Sequence, residues 1–387
     1  MIDPRSQSPA SATEDSDPAA REINRVRAEI DAVDSGILEQ LNRRATLVRE
    51  VGALKRSERV GVYRSARERD LVERLVASNA GPFPNSGIAP VFREIISATY
   101  RLEGALRVAY LGPEGTFSHV AARETFGSQV EMVAVASIGE IFAALERGEV
   151  DHGLVPVENT TEGVITQTLD ALLASTTPIC GESVLHISLN LMSASGRLED
   201  VREVASHPQP LAQCRDWLAR ELPGIARVET PSTAAAAERA TQRSEVAAIG
   251  SALVAELSGL RVIRSAIEDR RDNTTRFLVL GGDEPSPSGN DLTSVVFTVR
   301  KGESGALYRL LEPFAVEGVN LASIQARPLK GTPWEYVFFI DAEGHQSDPA
   351  LARACQEAAL RAHSHRVLGS FPRAGRIDGG LTAREAS

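Results

Sequence analysis

The stretch VRAEIDAVDSGILEQLNRRATLVREVGALK, residues 26–55, decides the first part of the fold. From Arg21 to Arg56 there is no proline, and only Gly36 and Gly52 interrupt good helix formers. Ile23, Val26, Ile30, Val33, Ile37, Leu41, Val48 and Val51 recur at helical spacing and make one apolar stripe. A helix over these residues runs to about 53 Å. A domain ending near Glu103 would be only about 30 Å across by compact-chain scaling. The helix is too long to bury its stripe against so short a domain. Its length therefore predicts a dimer with a second copy of the chain.

The same stripe carries cations. On a wheel that starts at Ile30, Arg44 and Lys55 fall with Ile37, Leu41 and Val48, and Arg27 falls at the edge of that face. One such side chain could snorkel past the stripe to water. Several together point to a buried small anion, because arginine and lysine are rarely buried unpaired. Arg44 and Lys55 are ~16 Å apart along the axis, and Arg27 is ~25 Å from Arg44. One small ligand cannot touch all three on one straight helix, but an antiparallel partner could bring its own Arg27 to the site.

Beyond this helix, Ser65-Ala66-Arg67-Glu68 opens a second helix, Gly81–Asn85 reads as a turn, and a third helix covers about Ile88–Leu102. At Leu106 the pattern changes. Short apolar runs at Arg107–Leu111, Gly153–Val157, Val246–Ile249 and Arg276–Leu280 alternate with helical stretches, as in an α/β layered fold. Gly281–Asp291 reads as a linker. From Leu292 a strand, a helix, two strands, a helix and a strand give the βαββαβ order of a ferredoxin-like unit. Residues 1–20 are expected to be a disordered leader and 373–387 a disordered tail, with units at 21–105, 106–282 and 292–372 joined through 283–291.

Bulk properties bound the function. A chain of 387 residues is expected to hold roughly two to four units. A formal charge of −10 with no basic run argues against nucleic acid as a partner. The three cysteines are scattered and read as reduced thiols of a cytoplasmic protein, with no spacing for a metal. The leader lacks the apolar core of a signal peptide, and no apolar run reaches membrane-span length. No G-x-G-x-x-G is present, which argues against a nicotinamide cofactor, and none is expected.

Candidate polar groups lie at the ends of the α/β strands. Tyr110–Ser118 is a strand running into a glycine-rich turn and a helix, able to offer backbone N–H groups to a carboxylate. Glu158, Asn159 and Thr160 follow the buried run ending at Val157, where α/β proteins bind ligands. Ser206–Pro210 and Asp272–Phe277 are turn-like segments around further strands, and each has a purely structural reading as a turn or cap.

Several ordered blocks carry resemblances. VRAEIDAVDSGILEQLNRRATLVREVGALK, ARERDLVERL and FREIISATYRLE resemble the all-helical, intertwined chorismate mutases. The resemblance implies that Arg27 of a partner chain, Arg44 and Arg67 orient the substrate. It gives Lys55 and Glu103 the ether oxygen, and Glu68 and Thr99 the remaining polar contacts. Glu68 is also the fourth residue of a Ser65-x-x-Glu68 capping box, and Arg64 stands where the family has Asp. Glu103 replaces a Gln of some relatives and must be protonated to donate to that oxygen. Glu103→Gln is therefore expected to extend mutase activity to higher pH. An unchanged pH–rate profile would count against the assignment.

LGPEGTFSHVAA, VPVENTTEGVI, SHPQPLAQC and NTTRFLVLG resemble prephenate dehydratase, whose two α/β lobes close a cleft as in a periplasmic binding protein. That resemblance makes Thr275 catalytic. It places Thr116, Ser118, Glu158, Asn159, Thr160, Ser206, Gln209, Arg276 and Phe277 around the substrate. Residues 293–372 resemble an ACT domain, which implies phenylalanine binding at a dimer interface. Gly305, Ala306 and Leu307 match its turn, and Gln325, Arg327 and Pro328 match a block that usually opens Glu-Ser. The partners implied are chorismate, prephenate and phenylalanine. The runner-up function is a cytoplasmic aromatic amino-acid sensor without turnover.

Overall fold

The computed structural model describes residues 18–58, 65–299, 304–328, 336–374 and 376–377. Helix α1 (Pro18–Glu58) is 41 residues long. It begins inside the expected leader, because Pro18 suits a first helical turn, where its missing N–H costs nothing. The rest of the leader lies outside the described residues. α1 forms one compact unit, and the elements from α2 onward form the other. The N-terminal part of the stripe on α1 is uncovered in the single chain, with Ile30 53% and Ile37 52% exposed, while Leu41, Val48 and Val51 are half-buried.

In the second unit, α2 (Ser65–Ser78) and α3 (Asn85–Glu103) are joined by the expected turn, which Asn79 closes by donating to the Phe83 carbonyl and to Asn85. α3 lies on the α/β core. Its Ile96 and Tyr100 share a cluster with Tyr110, Phe126 and Phe277, and Arg93 pairs with Glu124 at 2.6 Å.

The α/β part opens with β1 (Arg107–Leu111), α4 (Phe117–Phe126), β2 (Glu131–Val135), α5 (Ile138–Glu146), β3 (His152–Asn159), the short β4 (Gly163–Val164), α6 (Thr166–Ala174) and β5 (Ile179–His186). The chain then builds a second lobe. Its elements are β6 (Asn190–Ser193), β7 (Glu203–Ser206), α7 (Pro208–Gln213), α8 (Arg215–Glu221), β8 (Ala226–Glu229), α9 (Thr233–Gln242), β9 (Val246–Gly250), α10 (Ala252–Ser258) and β10 (Arg261–Arg264). It returns to the first lobe as β11 (Thr274–Leu280).

A C-terminal sheet follows, with β12 (Asp291–Val299), α11 (Ala306–Val316), β13 (Leu321–Pro328), β14 (Tyr336–Glu343), α12 (Pro349–Arg361) and β15 (Ser364–Pro372), and β16 (Arg376–Ile377) ends the description. The strand orders are β16-β5-β11-β3-β1-β2, with β4 on β3, then β10-β6-β9-β7-β8, then β13-β14-β12-β15. The last sheet has the split β-α-β arrangement expected from its element order.

Alternation along β11 organises the interior. Phe277 and Val279 point into the cluster that holds Tyr110, Phe126, Leu191 and Ile249. Leu278 and Leu280 point into another that holds Leu292, Val296, Phe339, Leu368 and Phe371 of the C-terminal sheet. The central sheet is therefore sandwiched, with the C-terminal sheet covering one face. The expected linker is shorter than its composition suggests. Asp291 is buried, begins β12, and accepts from Ser288 N at 2.7 Å.

The expected tail is also ordered in part. Arg373 pairs with Glu343, Ala374 N donates to Glu182, and β16 adds to β5 in parallel. The remainder of the tail lies outside the described residues. No described helix is long and apolar enough to cross a membrane.

β15 approaches β5 closely enough to require glycine. Gly369 has φ +155°, and a Cβ there would run into the Ile179 carbonyl. Gly369→Ala is expected to cost about 1–3 kcal/mol, the usual penalty of forcing atoms into a packed core. A lowered melting temperature would report it, and an unchanged one would mean that the sheets separate freely.

Candidate functional site

Both lobes turn the carboxyl ends of their parallel strands toward one another. In the first lobe β1, β2 and β3 are parallel, and in the second β7, β8 and β9 are parallel. The loop after β1 meets the start of α10, which follows β9. There Ser251 Oγ donates to the Gly115 carbonyl at 2.7 Å and also accepts from Val254 N at 3.1 Å. Gly115 has φ +82°, and a Cβ on it would lie 2.7 Å from Val254. The crevice beyond strand carboxyl ends is the usual ligand position in α/β folds.

Within this crevice the structure brings Asn159 and Thr275 together. They are register partners on β3 and β11, and Asn159 Nδ2 donates to Thr275 Oγ1 at 2.8 Å and to Asn273 Oδ1 at 2.9 Å. Asn159 Oδ1 accepts from Thr161 N at 2.9 Å and from Thr161 Oγ1 at 2.5 Å. With both ends of its amide engaged, Asn159 holds a fixed orientation. Thr275 Oγ1 is an acceptor here, so its own hydrogen is free to point at a ligand. Both side chains are buried, as a reactive group shielded from water should be. Thr160 lies beside them, donating to the Asp272 carbonyl and accepting from Thr274 N at 2.9 Å.

The loop after β1 is stiffened from within. Thr116 caps α4 and also donates to the Pro113 carbonyl at 2.9 Å. His119 accepts from Gly115 N at 3.1 Å, and its ring stacks on Tyr110 with centroids 4.7 Å apart. Burial lowers the His119 pKa, and burial with Glu114 pushes Tyr110 up to about 12. Both therefore stay neutral at ordinary pH. Ser118 is buried in the first turn of α4. In the second lobe Ser206 Oγ donates to the Ile249 carbonyl at 2.7 Å, and Gln209 sits half-buried in α7.

Three residues expected beside the substrate lie elsewhere. Phe277 is 1% exposed and belongs to the core, so it shapes the sheet rather than the crevice. Arg276 and its register partner Glu158 point to the opposite face of the sheet from Thr275, because neighbouring strand residues alternate. Asn273, Thr161 and Ser251 were not among the expected residues. A serine directly between a buried strand and a helix, as at Ser251, is an N-cap signature that marks where the strand hands over to the helix.

Of the expected mutase residues, Arg27 on α1 is exposed and Arg44 half-buried. On α2, Arg67 is exposed, while half-buried Glu68 accepts from the Tyr100 hydroxyl of α3. Thr99 donates to the Ile96 carbonyl at 2.8 Å within its own helix. The side chains of Lys55, Ser65 (the cap of the expected capping box) and Glu103, and all of Arg64, lie outside the described residues. In the C-terminal sheet, Gly305 takes the left-handed conformation at the start of α11, followed by Ala306 and exposed Leu307. Gln325 faces a narrow cavity against the central sheet. Arg327 reaches α6, pairing with Asp170 at 3.1 Å and donating to the Thr166 carbonyl. Pro328 ends β13.

Residues 26–104 match the family described as chorismate mutase type II, and residues 108–285 match prephenate dehydratase. A bifunctional chorismate mutase/prephenate dehydratase from Aquifex aeolicus (strain VF5) is 42% identical over 91% of this chain and 98% of its own length. The chain belongs to the bifunctional chorismate mutase/prephenate dehydratase family. A second member, from Stutzerimonas stutzeri, is 40% identical over 92% of this chain and 99% of its own. Among solved structures, a prephenate dehydratase from Arthrobacter aurescens, in complex with L-Phe, is 33% identical with a TM-score of 0.65, covering 72% of this chain and 93% of that one. The family's two halves thus follow in one chain, the helical part before the α/β part.

Proposed function

We propose that this protein rearranges chorismate to prephenate and then converts prephenate to phenylpyruvate, releasing CO2 and water. The observation that carries the reading is that both matched regions stand in one chain, in order, with full-length bifunctional relatives.

In the first reaction the ether C–O bond breaks as a C–C bond forms, and no nucleophile takes part. Arg44 and Arg67, with Arg27 of a second copy, orient the two carboxylates. Lys55 and Glu103 stabilise charge on the ether oxygen, and Glu68 and Thr99 complete the polar cage. The uncovered stripe of α1 supports the dimer, because an apolar face of that length needs a partner.

In the second reaction the bond to the ring carboxylate breaks and its electron pair moves into the ring. The ring C–O bond then breaks, and the departing hydroxide takes up a proton as water. Thr275, oriented by Asn159, donates a hydrogen bond to that oxygen. A threonine hydroxyl is a weak acid, so it places the departing group more than it supplies the proton. The first residues of α4 offer N–H groups to a carboxylate, Thr160 and Gln209 line the walls, and Ser206, fully buried, supports them from behind. The C-terminal sheet is an ACT domain that binds phenylalanine and slows the dehydratase, a reading supported by its strand order and the phenylalanine-bound relative. The three cysteines are all free, which fits a reducing cytoplasm.

Purified protein supplied with chorismate and no added cofactor is expected to yield phenylpyruvate. Accumulation of prephenate alone would confine the chain to its mutase half, and an inert but ligand-binding protein would favour a sensor.

A further inference from the structure

We propose that Arg276 is a positioning residue that ties the strand carrying Thr275 to the C-terminal sheet, so that a shift of that sheet reaches the dehydratase site. The proposal rests on the reading above and deepens it, by naming the contact through which an effector would act.

Adjacent residues of β11 face opposite ways. Thr275 turns toward the crevice and Asn159, while Arg276 turns toward the C-terminal sheet. Arg276 Nε donates to Glu182 at 2.7 Å and Nη1 donates to Asp341 at 2.6 Å. Glu182 is on β5, and its other oxygen accepts from Ala374 N at 2.8 Å. Asp341 is on β14, and its other oxygen accepts from the Ser294 hydroxyl of β12. One guanidinium therefore joins two strands of the central sheet to two of the C-terminal sheet. All three charged side chains are largely withdrawn from water, with 19%, 4% and 15% exposure for Arg276, Glu182 and Asp341. Burial works against the charge on Arg276, but Asp341 and Glu182 outweigh it and raise its pKa.

Two local features make this contact able to move a neighbour. Against β3 the register slips between Arg276 and Phe277, where Arg276 faces Glu158 but Phe277 faces Pro156. The β3 side of β11 is therefore locally disrupted beside this residue pair, while the β5 side stays paired from Thr274 to Val279. Arg276, Glu158, Glu182 and Asp341 also line a cavity of about 520 Å³ at the junction of the two sheets. Arg276 Nη2 is buried without a hydrogen-bond partner, so a donor stands ready for another arrangement. A buried charge network has distinct made and unmade states, which is what a coupling element needs.

The test compares Asp341→Asn and Arg276→Lys with the wild type. Asparagine keeps the shape and one acceptor, and lysine keeps the charge but cannot bridge two carboxylates. For Asp341→Asn, dehydratase kcat is expected to fall roughly tenfold with KM for prephenate within about twofold, because displacing a reacting group costs turnover before binding. Mutase kcat is expected to stay at the wild-type value, and inhibition by added L-phenylalanine to be blunted. Arg276→Lys is expected to give an intermediate kcat. Wild-type kcat and inhibition in Asp341→Asn would overturn the proposal, as would a parallel loss of both activities, which marks a merely structural role. If the wild type ignores phenylalanine, the sensing reading fails. The kcat and KM of Asp341→Asn then judge Arg276 alone.

Discussion

Replacing Thr275 with valine is expected to lower dehydratase turnover by about 10²–10³-fold, the range for removing one hydrogen-bond donor positioned at developing charge. Mutase turnover is expected to stay unchanged. Valine keeps the β-branch that suits a strand and nearly the same volume, so β11 retains its register with β3 and β5. Asn159 keeps its bonds to Asn273 and Thr161 and stays oriented. What is lost is one oxygen, the acceptor of the Asn159 bond and, in the proposed reaction, the donor to the departing hydroxyl. Thr275→Ser, which restores that oxygen with one methyl fewer, is expected to recover much of the rate. Phenylpyruvate formation from prephenate gives the readout, and chorismate consumption by the same samples controls for folding. Wild-type turnover in the valine variant would move the role to another group, and loss of both activities would indicate misfolding.

Four strands of the α/β part were legible because each contains a short apolar run, as at Arg107–Leu111, which the structure reproduces as β1, whereas mostly exposed strands such as β8 and β10 carry no such run. Thr275 and Asn159 were legible as a pair of motif residues, but their contact was not, since it depends on β11 returning to pair with β3 across the whole second lobe. The alternation that separates Arg276 from Thr275 is present in the sequence. It carries meaning only once both faces of the sheet are known to be covered, one by α3 and α4 and the other by the C-terminal sheet. The linker was misjudged for a related reason. Composition marks Asp291 as a loop residue, but tertiary packing buries it at the head of β12, where it collects the backbone N–H groups of Ser288 and Gly289. The cations of α1 were legible as an anion site only through the length of the helix, which no short domain could cover.

That length argument leads to the second large effect. Arg27→Ala and Arg44→Ala are each expected to lower mutase kcat/KM by about 10²-fold, the scale for losing a group that holds the substrate in its reactive geometry, while dehydratase activity persists. If Arg27 acts on the neighbouring copy, the two defects complement each other. A heterodimer with one chain of each kind has one site with Arg44 from the first chain and Arg27 from the second, both intact. Its other site lacks both. Purified through two different tags, this heterodimer is expected to recover about half of the wild-type mutase activity, as twofold symmetry requires. Homodimers of either variant stay inactive under the same assay, and dehydratase activity normalises the samples. A heterodimer no more active than its parents would mean that each site is built within one chain. The exposed stripe of α1 would then need some other cover.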